Sequence, residues 1–121
     1  MLDISFYAND GKQPYSVEVT DNFYEWLAKS DFSKIGKSVT RKIEVDGEEE
    51  KLPLVKLGKD TRKKLKAFLL EVISQESDSM LTQLGDSPSK KEYQDATYHL
   101  RKLQELRKCV ENEKYLYLQR V

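Results

Sequence analysis

The side chains best suited to nucleophilic or metal chemistry are a single histidine, His99, and a single cysteine, Cys109. A structural zinc site needs about four nitrogen or sulfur ligands, which one residue of each type does not supply. Both fall in a segment of helical periodicity, where their spacing corresponds to about 15 Å of helix rise. A Cys–His nucleophile pair requires hydrogen-bond contact, so we interpret the cysteine as flanking the core and the histidine as partly exposed.

Carboxylates offer one motif fragment, because Glu49, Glu50 and Lys51 match the E-x-K half of a metal-dependent nuclease site. Such a site also needs an aspartate on a neighbouring strand, and Asp46 falls in the same predicted loop. The five glycines are isolated, so no glycine-rich loop can hold a phosphate. We therefore predict no catalytic residue, no cofactor and no metal, and interpret the chain as a non-enzyme.

The strongest charge feature is a basic run at the start of a predicted helix. Cations there oppose the helix dipole by about 0.3–1 kcal/mol each. Two explanations are open: the acidic segment 44–50, which includes Glu48 and Glu49, folds back and neutralises them, or the run attracts an external anion such as nucleic acid or an acidic protein. No aromatic residue lies between positions 56 and 67 to stack on bases. The run comprises Lys59, Arg62, Lys63, Lys64 and Lys66.

A second candidate surface is aromatic and lies near the end of the sequence. Tyr115 and Tyr117 alternate with Leu116 and Leu118, which is the period of a strand. If the leucines face the core, the two tyrosines lie together on the open face of a sheet. They then either pair with aromatic side chains across the strands or form a protein-binding patch.

The composition predicts one folded domain, 1–121. Of the 121 residues, 38% are hydrophobic, and 21 basic residues balance 21 acidic ones. The longest strictly apolar run is residues 67–70, far below the roughly 20 residues that span a bilayer. The first residues do not resemble a secretory signal. We therefore expect no membrane association and a cytoplasmic location.

The elements that would position these residues follow from periodicity and turn signals. Alternation predicts a hairpin from strands at 2–8 and 15–19. A capping pattern predicts a short helix that starts at Asn22 and ends near Ser30 or Phe32. A strand is predicted at 38–45, and Arg41 falls on its apolar side without an obvious partner. The remaining predictions are a helix from residue 59 or 60 to about 76, a connection at 77–88, a helix from a Ser89 cap to about 112, and a terminal strand.

Asp46-Gly47 is a strong two-residue turn signal. That turn would place Ile43 opposite Glu50, whereas a wider loop would place it opposite Leu52. We therefore predict the wider loop, with Glu48 and Glu49 solvated in it and a strand at 51–57. Pro53 confines this strand to an edge or a bulge.

Together these elements predict an α+β fold: a small, mostly antiparallel sheet of about four to five short strands. One short helix and an antiparallel pair of longer helices cover one face, and the C-terminal strand returns to the sheet. The leading functional hypothesis is a non-enzymatic protein that binds another protein, such as an inhibitor, an immunity-type protein or an accessory module. The alternative is a nucleic-acid-binding module that uses segment 59–66, and the third is an enzyme with an unrecognised site.

Overall fold

A computed structural model describes residues 2–85 and 89–120. It contains one five-stranded sheet of order β2-β1-β5-β4-β3, in which all neighbouring strands are antiparallel. The predicted α+β class is confirmed, and the C-terminal strand lies at the centre of the sheet. The elements are β1 (Leu2–Tyr7), β2 (Tyr15–Val19), α1 (Asp21–Lys29), a 3-10 turn (Asp31–Ser33), β3 (Ser38–Val45), β4 (Glu48–Lys56), α2 (Lys59–Leu84), α3 (Lys90–Glu111) and β5 (Tyr117–Gln119).

The main core lies between the sheet and the three helices. Strand alternation turns Ile4 and Phe6 of β1 to the same side as Val55 and Leu118, and all four are buried. The helices contribute apolar stripes to this side, from α1, from residues 65–73 of α2 and from residues 103–110 of α3. These helical residues are Phe23, Leu27, Leu65, Leu69, Val72, Ile73, Leu103, Leu106 and Val110.

Two predicted helix boundaries are wrong. Helix α1 is capped by Thr20, whose Oγ1 accepts a hydrogen bond from the Phe23 amide at 3.3 Å, and not by Asn22. Helix α2 continues to Leu84, beyond the predicted end near residue 76, because no glycine or proline interrupts it before Gly85. The Ser77 and Thr82 hydroxyls bond to carbonyls one turn earlier, so these polar residues stay within the helix. The Ser89 cap of α3 is confirmed; residues 86–88 of the predicted connection lie outside the described residues.

The predicted wide loop between β3 and β4 is wrong. Asp46 and Gly47 form a two-residue turn with φ of 52° and 80°, as a type I′ hairpin requires. The register pairs Val45 with Glu48 and Ile43 with Glu50. Matching apolar partners failed as a guide because the Asp46-Gly47 turn sets the register, and Glu50 opposite the buried Ile43 stays exposed.

The β3–β4 hairpin curves across the side of the sheet that faces away from the helices. Its tip contacts the β1–β2 loop, where Asp46 donates its backbone N–H to the Gly11 carbonyl at 2.8 Å, and Gln13 bonds to the Asp46 carboxylate. The curvature encloses a second apolar cluster. It contains Tyr7, Ile43 and Leu54, with Val45, Leu52 and Tyr117 packed at its margin.

Pro53 explains why β5 pairs with only the last part of β4. Hydrogen-bonded pairs alternate along the hairpin, so residues 53 and 55 of β4, and residue 57 just after it, direct their backbone nitrogens toward β5. Leu57 donates to Leu116 at 2.8 Å and Val55 pairs with Leu118, but Pro53 has no N–H. The next carbonyl, that of Arg120, instead accepts a 2.6 Å hydrogen bond from the Tyr24 hydroxyl.

Candidate functional site

Arg62 of the basic run is engaged entirely within the protein. Its Nη1 donates to the carbonyls of Val110 and Asn112 at 2.6 and 3.0 Å. Its Nη2 donates to those of Leu57 and Tyr115 at 3.1 and 2.7 Å. The guanidinium therefore occupies the carbonyl end of α3, where the helix dipole favours a cation. Arg62 joins the β4–α2 connection to the chain that leads into β5, and all four of its terminal N–H groups are used.

The other cations of the basic run are at the surface. Lys66 lies 3.6 Å from Glu111 of α3. Lys59, Lys63 and Lys64 are exposed and form no ion pair with a described residue. Lys59, Lys63 and Lys66 line an open groove with Glu111 and Glu113. Three cations without a partner among the described residues thus remain at the start of α2.

Of the two explanations left open for the basic run, neutralisation by segment 44–50 is not what the described residues show. Glu48 and Glu49 begin β4, at the opposite end of that strand from the connection to α2. Among the described residues, no ion pair joins the two segments. Compensation comes instead from the C-terminal end of α3, through the carbonyls bound by Arg62 and through Glu111. The sequence signal for this was absent, because the contact partners lie about 50 positions later in the chain.

The acidic tip, which we define as residues 44–50, carries five exposed carboxylates: Glu44, Asp46, Glu48, Glu49 and Glu50. Glu44 and Glu49 lie directly opposite each other across the ladder, and like charges in this position destabilise a sheet. Glu49 of this tip forms a weak ion pair with Lys42 at 3.8 Å, and both side chains are about two-thirds exposed. The tip therefore presents a strong negative potential on a backbone held by Gly11 and Gln13.

The two predicted tyrosines do not share a surface. Strand β5 begins only at Tyr117, so the alternation does not extend back to Tyr115. Tyr115 packs against the main core, with its ring centroid 5.8 Å from that of Phe6 and 6.3 Å from that of Tyr15. Tyr117 lies at the margin of the second apolar cluster on the opposite side of the sheet. The predicted shared tyrosine face is therefore wrong.

Arg41, which the sequence left without a partner, covers Tyr117. Its Cζ lies 5.6 Å from the centre of that ring, which is cation–π geometry. Its Nε is buried and forms no hydrogen bond. By strand alternation, Arg41 lies on the face of the hairpin that carries Glu48 and Glu50, whereas the Glu44–Glu49 pair lies on the other face.

His99 and Cys109 are not placed for joint chemistry. The His99 ring contacts Phe23 in an edge-on arrangement at 5.0 Å and Trp26 at 5.8 Å. Cys109 is buried in the main core, and this burial, assisted by the charge of Glu105, raises the pKa of its thiol to about 11. A thiol with this pKa stays protonated and weakly nucleophilic at neutral pH.

The described residues contain no group of three or more His, Cys, Asp or Glu side chains arranged to hold a metal ion. Within the same residues, no helix has the length and apolar character needed to cross a membrane. The E-x-K fragment at 49–51 lies along one strand of the acidic tip, and Asp46 lies in its turn. Nothing in this arrangement supports a shared cation.

Comparison with known proteins found no match among protein-family models, curated proteins or solved structures.

Proposed function

We propose that this protein is a non-catalytic protein-binding module whose recognition element is the acidic tip. The observation that carries the proposal is the direct opposition of Glu44 and Glu49 within five exposed carboxylates. This arrangement lowers the stability of the isolated hairpin, and a cationic partner surface would relieve the repulsion. Electrostatic complementarity of this kind gives fast and specific association.

The backbone of the acidic tip suits a preformed interface. Its two-residue turn and its contacts with Gly11 and Gln13 fix the loop before binding, so little conformational entropy is lost on association. Arg41 shares a face of the hairpin with Glu48 and Glu50, and its contact with Tyr117 adds the two residue types that are enriched at the energetic centres of interfaces. The fitting partner is a protein that exposes a basic surface, and an inhibitory role follows if that surface normally binds a polyanion.

Direct nucleic-acid binding through segment 59–66 has a weaker basis. Arg62 donates its terminal N–H groups to four backbone carbonyls, and Lys66 forms an ion pair with Glu111. Lys59, Lys63 and Lys64 remain, without an aromatic residue in the segment to stack on a base. The test of the proposal therefore also measures binding to duplex DNA.

The proposal is tested by capturing partners from the source cells on the immobilised protein and measuring the purified pair by surface plasmon resonance. The test variant neutralises Glu44, Glu48, Glu49 and Glu50 as glutamines. We expect it to slow association by about tenfold or more at low salt, and we expect wild-type association to slow as salt rises. The variant should remain folded, because these side chains are exposed.

A matched control neutralises four exposed acids elsewhere: Asp3→Asn, Glu18→Gln, Glu71→Gln and Asp78→Asn. It has the same net charge as the test variant and should bind like wild type. If both variants lose association rate equally, the effect comes from net charge alone, and the proposal is wrong. The nucleic-acid function would replace the proposal if this protein binds duplex DNA and if Lys63→Glu and Lys64→Glu abolish that binding while the acidic-tip variant retains it.

A further inference from the structure

Arg120 is a buried cation whose identified partners are all neutral. The side chain is only 8% exposed. Its Nη1 donates to the carbonyls of Phe32 and Ile35 at 2.5 and 2.6 Å, and its Nη2 donates to that of Gly36 at 2.8 Å. No carboxylate of a described residue forms an ion pair with it. Burial lowers the pKa of the guanidinium, as expected when a charge loses its hydration.

This guanidinium borders a cavity of about 250 Å³ between α1, the 3-10 turn and the sheet. The lining is mainly apolar, with hydroxyl groups at three positions and no acidic residue. The cavity therefore combines a hydrocarbon surface with one fixed positive charge, which is the usual composition of a small-molecule site. Its lining residues are Ile4, Tyr24, Leu27, Ala28, Phe32, Ser33, Ser38 and Arg120.

We propose that this cavity binds a small monocarboxylic acid, with the carboxylate toward Arg120 and the hydrocarbon part against Leu27 and Phe32. A guanidinium has five N–H donors, and the described carbonyls accept three hydrogen bonds from it, which leaves two donors for a ligand. The carbonyls fix the orientation of the group without cancelling its charge. An anion would compensate a buried cation that otherwise weakens the fold.

The volume sets the size of the ligand. Drug-sized sites enclose roughly 300–1,000 Å³, so this cavity suits a smaller molecule. At roughly 30 Å³ for a water-sized group, it holds about eight such groups. Hexanoate has this size, and hexanamide is its neutral counterpart of nearly the same shape.

The test is a titration of the ¹⁵N-labelled protein with hexanoate at constant ionic strength, followed by amide chemical shifts. We expect saturable shifts at Ala28, Ser33 and Ser38. Hexanamide should bind about tenfold more weakly or worse, because its neutral oxygen cannot form an ion pair with Arg120. Acetate should also bind more weakly, because it leaves the apolar surface unfilled.

A blocking variant keeps the proposal testable without removing Arg120, which also holds residues 32–36. Ala28 is exposed at the margin of the cavity, so Ala28→Phe should fill the cavity, leave the fold intact and abolish the hexanoate shifts. Equal binding of hexanoate and hexanamide would overturn the proposal. Unchanged binding by Ala28→Phe, or the absence of any shifts, would also overturn it. Shifts confined to residues 59–66 would indicate an adventitious anion on surface lysines only and would overturn it as well.

Discussion

Arg62 donates a 2.6 Å hydrogen bond to the carbonyl oxygen of Val110, which lies 48 residues later in the sequence. This contact joins the first turn of α2 to the last turn of α3. Three further carbonyls accept from the same guanidinium. Arg62 of the basic run therefore has a structural role, and its mutation should change the stability of the fold.

Arg62→Met should lower the free energy of unfolding by about 2–4 kcal/mol, because three partly buried carbonyls and one exposed carbonyl lose a charged donor. Urea denaturation measures the change. Lys63→Met is the control, since this neighbouring lysine is exposed and should alter stability by less than about 0.5 kcal/mol. Similar values for the two variants would contradict the structural role of Arg62.

Gly36→Ala should destabilise the protein more than Gly47→Ala. Both glycines have positive φ, 77° and 80°, so both substitutions incur about 1–2 kcal/mol of backbone strain. A Cβ at Gly36 would also lie 2.6 Å from Val55 Cγ1 and 2.9 Å from Thr61 Cγ2, whereas at Gly47 it meets nothing within 4 Å. We expect an additional loss of about 1–3 kcal/mol at Gly36. Thermal unfolding of the two variants tests this, and equal losses would refute the close packing around Gly36.

Glu44→Lys should stabilise the isolated protein, because it replaces a like-charge pair with an attractive one opposite Glu49. The expected gain is about 0.2–1 kcal/mol at low salt, and it should shrink in high salt. The double variant Glu44→Lys/Glu49→Lys restores repulsion and should lose the gain. If the single and double variants unfold alike, the cross-strand charges do not interact.

The thiol of Cys109 should titrate in the folded protein near its raised pKa of about 11, against an ordinary value of 9.0. Since the unfolded chain releases this proton first, the contribution of the thiol to stability is complete below about pH 9 and is lost as pH rises toward 11. Thiolate ultraviolet absorbance measures the ionisation, with Cys109→Ser as the blank. Ionisation near pH 9 in the folded protein would contradict the burial of the sulfur.

Tyr15 should titrate with a pKa of about 12, mainly because its hydroxyl donates a 2.9 Å hydrogen bond to Glu105 and would face that carboxylate as a phenolate. Glu105→Gln should return the pKa toward 10. The Cζ chemical shift of Tyr15 in ¹³C-labelled protein reports the titration. Glu113→Gln, an exposed change elsewhere on the surface, should leave Tyr15 unchanged, and an equal effect would remove the specific role of Glu105.

Periodicity was sufficient to predict the strands, the helix pair and the return of β5, because those patterns report which side of an element is buried. Periodicity was insufficient to predict hydrogen bonds between a side chain and backbone carbonyls that lie far away in the sequence. The carbonyls bound by Arg62 and Arg120 have no sequence signature. The β3–β4 register was missed because the Asp46-Gly47 turn, and not apolar matching, determines it. Tyr115 was misplaced because the chain reaches β5 through a turn at 112–115.

The missing N–H of Pro53 also has a consequence for how copies of this protein behave toward one another. Between Glu48 and Leu54, no described residue of β5 pairs with β4, and a free strand edge of this kind can recruit other chains into aggregates. A proline at that edge interrupts the row of donors, and the flanking charges of Lys51, Glu49 and Lys42 disfavour stacking. The proline and these charges therefore disfavour edge-to-edge pairing of β4 with another copy of the chain.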